Sequence, residues 1–162
     1  MPTRLEPITA AEYPAWFDKQ AVSYAADKVR ANQWAEEGAV ERARQETERY
    51  LTDGVDTPNH SLNHIVDSTS GARVGTLWWC LSERLGRRIA FIFDIAVEER
   101  FRRRGYATSA LEGLEARART ENIEALSLHV FAFNQSAVKL YEKLGYAPTS
   151  ISMSRELGTD SA

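Results

Sequence analysis

The sequence predicts an α+β fold: a mixed, mostly antiparallel central sheet with helices on both faces. Three observations carry this. Residues 60–67, 73–82 and 88–97 are rich in β-branched and aromatic side chains and are joined by short turn-forming strings. Downstream, the apolar period changes to helical, then to strand, then back to helical. Upstream, two helical segments precede the strands.

A short opening strand comes first. Trp16, Phe17, Val22, Tyr24 and Val29 then sit among helix formers, and Pro14 restricts where that helix starts. A second, Glu/Arg-rich helix is expected over residues 36–51, with Val40, Ala43, Thr47, Tyr50 and Leu51 as its inner stripe. Asp53-Gly54 closes it, and Asp56-Thr57-Pro58-Asn59 is loop-like. The three strands that follow are separated by Ser68-Thr69-Ser70-Gly71 and Glu83-Arg84-Leu85-Gly86-Arg87, so they read as an antiparallel meander. Ala107, Ala110, Leu111, Leu114 and Ala118 space a helix over 105–120. Residues 125–131 are strand-like, and 134–144 are helical with Ala137, Leu140, Tyr141 and Leu144 on one face. Ile151, Met153, Arg155 and Leu157 alternate in 150–157 and suggest a final strand. A strand, a crossover helix and another strand imply one parallel pair.

The 162 residues suit one domain over 1–162, with its core at about 3–157 and a frayed tail at 158–162. The net charge of −3 gives no reason to expect nucleic acid or an anionic membrane as partner. One cysteine, Cys80, excludes an internal disulfide and suits a reducing, cytoplasmic setting. The N-terminus lacks an apolar signal core, and no run approaches the roughly 20 apolar residues of a membrane span.

Chemistry concentrates in two strings. The first is Arg102-Arg103-Arg104-Gly105-Tyr106-Ala107, between a strand and a helix. A helix start offers unsatisfied N–H groups and a positive dipole end, and Gly105 and Ala107 allow close approach of a phosphate. A solvated basic turn is the competing reading. The second string runs from Asn134, a good N-cap, to Gly145-Tyr146, a good helix stop.

The first string resembles the Gln/Arg-x-x-Gly-x-Gly/Ala signature of the GNAT superfamily of acyl-CoA N-acyltransferases, through Arg102, Gly105 and Ala107. The second resembles that family's Asn-x-x-Ala-x-x-Leu-Tyr-x-x-x-Gly-Phe/Tyr pattern, through Asn134, Ala137, Leu140, Tyr141, Gly145 and Tyr146. The resemblance implies a GNAT-like sheet and acetyl-CoA as acyl donor, with no metal. It implies that N–H groups of Arg103, Arg104, Gly105, Tyr106, Ala107 and Thr108 hold the pyrophosphate, with Arg102 alongside. It also implies that the backbone of Ile95, Ala96 and Val97 carries the pantetheine arm, that Asn134 and Ala137 border it, and that Tyr141 lies near the thioester sulfur.

An amine must attack a thioester carbonyl, and a thiolate must leave. A phenol, of pKa about 10, can hydrogen-bond or protonate a thiolate whose acid has pKa about 8.5. Tyr141 is the candidate, against a plain core aromatic. Three sites compete for the amine's proton. His129 lies where similar ribosomal-protein N-terminal alanine acetyltransferases carry glutamate, and it is the provisional base, against a buried, hydrogen-bonded structural histidine. Asp94 interrupts the apolar run Phe91-Ile92-Phe93-Asp94-Ile95-Ala96-Val97 and reads as base, ammonium anchor or hydrogen-bond hub. His60 and His64 are candidates for a substrate mouth, against surface residues; their spacing also suits a metal, without a local third ligand. The resemblance implies that the first two helices and their connection wall the acceptor site; Tyr24, Trp34, Glu36 and Glu37 there suit an amine and equally suit core packing and a helix N-terminus.

The reading is an N-acetyltransferase acting on a primary amine by direct attack in a ternary complex, with a homodimer compatible. The glutamate that many family members carry earlier in the 88–97 strand is absent; Ile89, Ala90 and Phe91 stand there. That absence motivates the alternative of a non-catalytic acyl-CoA-binding module. The whole chain also resembles uncharacterised bacterial GNAT proteins that share Ala90-Phe91-Ile92-x-Asp94 and the 126–135 segment.

Overall fold

The computed structural model describes residues 2–158; the part of the expected frayed tail beyond Gly158 lies outside them. Five strands form one sheet in chain order: β1 (Thr3–Pro7), β2 (His60–Asp67), β3 (Arg73–Arg84), β4 (Arg87–Val97) and β5 (Ala125–Leu128). Neighbours are antiparallel except β4 and β5, which are parallel. The meander and the single parallel pair are therefore as the sequence predicts.

Helix α1 (Tyr13–Arg30) starts through a reciprocal cap. Thr9 N–H and its hydroxyl donate to Glu12 Oε1 at 3.2 and 2.9 Å, while Glu12 N–H donates to Thr9 Oγ1 at 3.3 Å. Pro14 falls in the first turn, where no N–H is needed. Helix α2 (Ala39–Tyr50) begins three residues later than expected, because Gly38 adopts φ 73° at its N-cap. Its buried stripe is Ala39, Ala43 and Thr47, followed by Leu51. Val40 and Tyr50, expected inside, are exposed.

One sheet face carries α3 (Tyr106–Thr120), whose Ala110, Leu111, Leu114 and Ala118 pack against Ile65, Val74, Leu77 and Ile92. Full burial of each such Leu or Ile side chain contributes about 1.5–3 kcal/mol. The other face carries α1: Trp16 and Phe17 meet Leu62 and Trp78, with Leu51 beside them. Helix α2 covers α1 through Ala21, Ala25, Ala43 and Trp34. Helix α4 (Gln135–Lys143) follows β5 and sends Tyr141 and Leu144 to the α3-side core.

Two expectations are corrected. The strand predicted over 125–131 stops at Leu128, where its ladder with β4 ends at Ile92. The final strand predicted over 150–157 does not form, since nothing in the described chain pairs with it; Ile151, Met153 and Leu157 are 75%, 91% and 81% exposed.

Candidate active site

The site begins where two parallel strands part. β4 pairs with β5 only from Ile89 to Ile92; from there to Val97 that edge is open, while β3 still pairs with the other. Across β4 the β3 ladder carries a bulge: Trp79 faces Ile92 and Trp78 faces Asp94, leaving Phe93 as the extra residue. A bulge re-aims the side chains beyond it. Phe93 stacks flat on Trp78 at 4.4 Å, and Asp94 lines a cavity of about 310 Å³ at the opening.

No protein donor among the described residues bonds the Asp94 carboxylate. Burial, and secondarily the charge of Asp27, push its pKa up to about 7. The hub reading of Asp94 therefore finds no hydrogen bonds to rest on. Tyr141 faces the same cavity from α4, its pKa pushed up to about 12 by burial and then by Asp94.

Local chemistry of α4 aims this tyrosine. Asn134 Oδ1 accepts the Ala137 N–H at 3.4 Å, as expected of an N-cap. At the other end Gly145 takes φ 94°, its N–H donates to Glu142 O at 3.0 Å, and Tyr146 N–H donates to Tyr141 O at 2.9 Å. This is a Schellman closure, and the accompanying apolar contact is Tyr146 against Tyr141, rings 5.7 Å apart. Gly145 and Tyr146 thus hold the helix turn that carries Tyr141.

His129 lies just past the end of β5, exposed at the cavity rim, its ring edge-on to Phe131 at 4.9 Å. Tyr24 lines the cavity and donates to Glu46 at 2.9 Å. Trp34 does not reach it; the indole is buried between α1 and α2, edge-on to Tyr24. Glu36 and Glu37 are exposed and absent from the lining, so the acidic wall expected there is supplied by Asp27 and Glu46. Those two were missed because single acidic residues on helices with many carry no local signal. Tyr50, expected in the inner stripe of α2, walls the cavity beside Trp78 and Phe93. His60 and His64 do not line it. His60 Nδ1 accepts the Trp78 indole N–H at 3.0 Å, behind the wall, and His64 meets Glu12 at 2.9 Å.

From the cavity, β4 leads directly to the glycine turn. Glu98 N–H donates to Val74 O at 2.9 Å, which fixes the ladder's parity. Ala96 therefore bonds toward β3, while the backbone groups of Ile95 and Val97 face the open side. Arg102 Nε confirms this by donating to Val97 O from that side at 3.0 Å. The arginine braces the strand end, and its Nε is not free for a phosphate. Gly75 opposite has a conformation open to any residue, but a Cβ there would lie 2.1 Å from Ala96 O. It is a positioning residue that the sequence did not single out.

Beyond Val97, Arg103 and Gly105 both take left-handed φ, 61° and 83°, and α3 starts at Tyr106. Ser109 is the first N–H bonded within the helix, to Gly105 O at 3.0 Å. Among the described residues, the N–H groups from Arg103 to Thr108 have no protein acceptor, and the side chains of Arg102, Arg103 and Arg104 are exposed around them. Such a concave run of donors fits an anion. The Tyr106 side chain is not part of it: buried, it donates to Asp67 at 2.6 Å, and Asp67 also accepts N–H bonds from Thr69 and Ser70. This contact ties the start of α3 to the β2–β3 turn.

A second concavity, about 460 Å³, follows the charged outer face of α2, lined by Glu41, Arg42 and Arg49, and has no buried reactive group. Among the described residues, no three His, Cys, Asp or Glu side chains gather as metal ligands, and no helix is long and apolar enough to cross a membrane.

A donor turn, an open strand edge and a cavity with a tyrosine and a carboxylate define an acyltransferase of a known kind. The acetyltransferase (GNAT) family model matches residues 20–146, and the chain belongs to that family. It is 37% identical to the uncharacterized N-acetyltransferase YdgE of Bacillus subtilis, over 94% of this chain and 97% of that one. It is 36% identical to the uncharacterized N-acetyltransferase YycN of the same organism, over 97% and 100%. The YycN crystal structure matches with TM-score 0.89 over 96% of this chain and 98% of that one. A 62-residue stretch, 38% of this chain and 42% of the other, is 40% identical to the ribosomal protein bS18-alanine N-acetyltransferase of Salmonella typhimurium.

Proposed function

We propose that the protein transfers an acetyl group from acetyl-CoA to a primary amine by direct attack, both substrates being bound together. The observation that carries this is the unpartnered Asp94 carboxylate facing the same cavity as Tyr141. The donor fits the residues present. Arg103 to Thr108 offer free N–H groups to its pyrophosphate, and the Ile95 and Val97 backbone offers strand-like pairing to its arm. Asn134 and Ala137 flank that arm at the start of α4. The donor supplies the activated acyl carbon.

Of the two candidate bases, the assignment goes to Asp94. Its pKa of about 7 suits taking a proton near neutrality. His129, exposed, serves the rim. As the amine nitrogen bonds the acyl carbon and the C–S bond breaks, Asp94 takes the nitrogen's proton. Tyr141 donates a hydrogen bond to the leaving sulfur. With a pKa of about 12 against about 8.5 for a thiol, full transfer from the phenol is uphill. Protonation of Asp94 removes the charge that helps hold Tyr141 high, so the phenol becomes a better donor as the sulfur leaves. The thiolate then draws its proton from Asp94, which resets the site. The carboxylates of Asp27 and Glu46 and the rings of Trp78, Phe93 and Phe131 suit a cationic amine with an apolar body.

The test is a panel of amines with acetyl-CoA, followed by release of free thiol, for wild type and Tyr141→Phe. The variant should lose about 10²–10⁴ in turnover with its unfolding midpoint unchanged. Binding of acetyl-CoA without turnover on any amine would instead identify a non-catalytic module.

A further inference from the structure

The cavity that holds Asp94 carries more negative charge than one amine can balance. Three carboxylates line it, those of Asp27, Glu46 and Asp94, against the ammonium of Lys28. Lys28 is engaged elsewhere. Its Nζ donates to Gln33 Oε1 at 2.8 Å and lies over the rings of Tyr24 and Trp34, 5.6 and 5.5 Å from their centroids. Among the described residues it forms no ion pair with any of the three carboxylates. Asp94 answers to one ammonium, the one it deprotonates. Asp27 and Glu46 are left over.

The carboxylates follow one another along the cavity. Asp27 is the neighbour of Asp94, since its charge adds to the burial that raises the Asp94 pKa. Tyr24 precedes Asp27 on α1 by nearly one turn, about 4.5 Å along the helix. The Tyr24 hydroxyl donates to Glu46 Oε2 at 2.9 Å, so Glu46 sits farther along, away from Asp94. Beside it the Thr47 hydroxyl donates to Gln20 Oε1 at 3.1 Å, which locks this face of α2 to α1. Glu46 Oε1 and both oxygens of Asp27 have no protein donor among the described residues. The neighbouring wall is aromatic: Phe93 lies 4.4 Å from Trp78 and 4.8 Å from Tyr50, ring to ring.

We infer that the acceptor is a short linear aliphatic diamine, with its reacting nitrogen between Asp27 and Asp94, its methylenes on the aromatic wall and its second ammonium on Glu46 Oε1. The inference rests on the acetyl transfer proposed above and names its acceptor. A doubly charged molecule matches the two carboxylates in excess. Its far ammonium gains a hydrogen bond between charged partners, which is the strong kind. The reaction then consumes one of the two charges, because the amide nitrogen it forms is neutral. The product keeps a single ammonium. To react again it would have to lay its amide against Glu46, so one acetyl group is added per molecule.

The test gives the full chain acetyl-CoA and three series of amines with backbones from propane to hexane: α,ω-diamines, n-alkylamines and ω-amino acids. Thiol release and product mass are read for each. The best diamine should exceed the alkylamine of its own length in kcat/KM by about 10–10²-fold, the gain from one hydrogen bond to a charged group. The ω-amino acid, whose carboxylate would meet Glu46, should be slowest, and the diamine product should carry one acetyl group. Glu46→Gln should bring the diamine-to-alkylamine ratio close to one, a ratio that loss of active protein does not move. Calorimetry of the same amines on the CoA complex, which has no acyl group to transfer, should give the same ranking. A diamine preference there without turnover on any amine would support the diamine site and refute the acetyl transfer. Equal turnover of diamine and alkylamine would overturn the inference and leave the transfer standing. A series led by the ω-amino acid, a preference that survives Glu46→Gln, or a diacetylated product would overturn it as well.

Discussion

Replacing Asp94 by Asn should stabilise the protein and disable it, and both effects have one cause. The bulge opposite Trp78 and Trp79 turns this carboxylate into a cavity where no protein donor among the described residues bonds it. Its pKa rises from 3.8 to about 7 in the fold. A group shifted up in the native state contributes stability below its unfolded pKa, and loses it as pH rises through the folded one. Ionising the carboxyl in place therefore costs the fold up to about 4 kcal/mol above pH 7, at about 1.4 kcal/mol per pKa unit. This is an upper bound, because the cavity opens to water. Asn keeps the shape and removes the charge. Urea unfolding at pH 5 and pH 8 should show the advantage of Asp94→Asn growing by roughly 2–3 kcal/mol between them. In parallel, wild-type kcat/KM should climb about tenfold per pH unit below a limb near 7 and level off above it. The variant should lose that limb, together with about 10²–10⁴ in rate. A variant no more stable than wild type at pH 8, or one that kept the limb, would refute this reasoning. Loss of the limb in His129→Gln rather than in Asp94→Asn would transfer the base role to the histidine.

Two further outcomes test how the donor side is held. Gly75→Ala places a methyl against Ala96 O, so β3 and β4 must part at the strand end; unfolding free energy should fall by about 1–3 kcal/mol, and calorimetry should show weaker acetyl-CoA binding. Tyr106→Phe deletes the buried bond to Asp67 and frees the start of α3 from the β2–β3 turn. That bond, with those from Thr69 and Ser70, holds the Asp67 pKa below its usual value. Its stabilisation is thus present at neutral pH and lost as pH falls through the carboxylate range. The variant should melt earlier at pH 7, and the gap in Tm should narrow on acidification.

Much of this protein is written locally. The meander follows from alternation and turn residues, and the ends of α4 follow from Asn134 and Gly145, each satisfying backbone groups within a few positions. The glycine turn was legible for the same reason: Gly105 tolerates the left-handed φ that opens a helix there. Asp94, His129 and Tyr141 were legible as types, a carboxylate in an apolar run, an imidazole after a strand and a phenol within a motif. Their division of labour was not. The start of α2 also shifted locally, since Gly38 could be read as loop or helix until its φ was known.

What only the tertiary structure decided depends on partners far along the chain. Asp94 faces a cavity because β3 pairs out of step at Trp78, and its pKa is raised by burial there and then by the charge of Asp27, on a helix far earlier in the chain. The need for glycine at position 75 exists only because Ala96 O lies across from it. Residues 129–131 leave the sheet, and 150–157 never join it, though both carry strand pattern: alternation states a capacity to pair, and a ladder needs a second strand at the right place. Period and capping are set by neighbours a few bonds away. Register, burial of a charge and the presence of a pairing partner are set by contacts that the chain acquires only on folding.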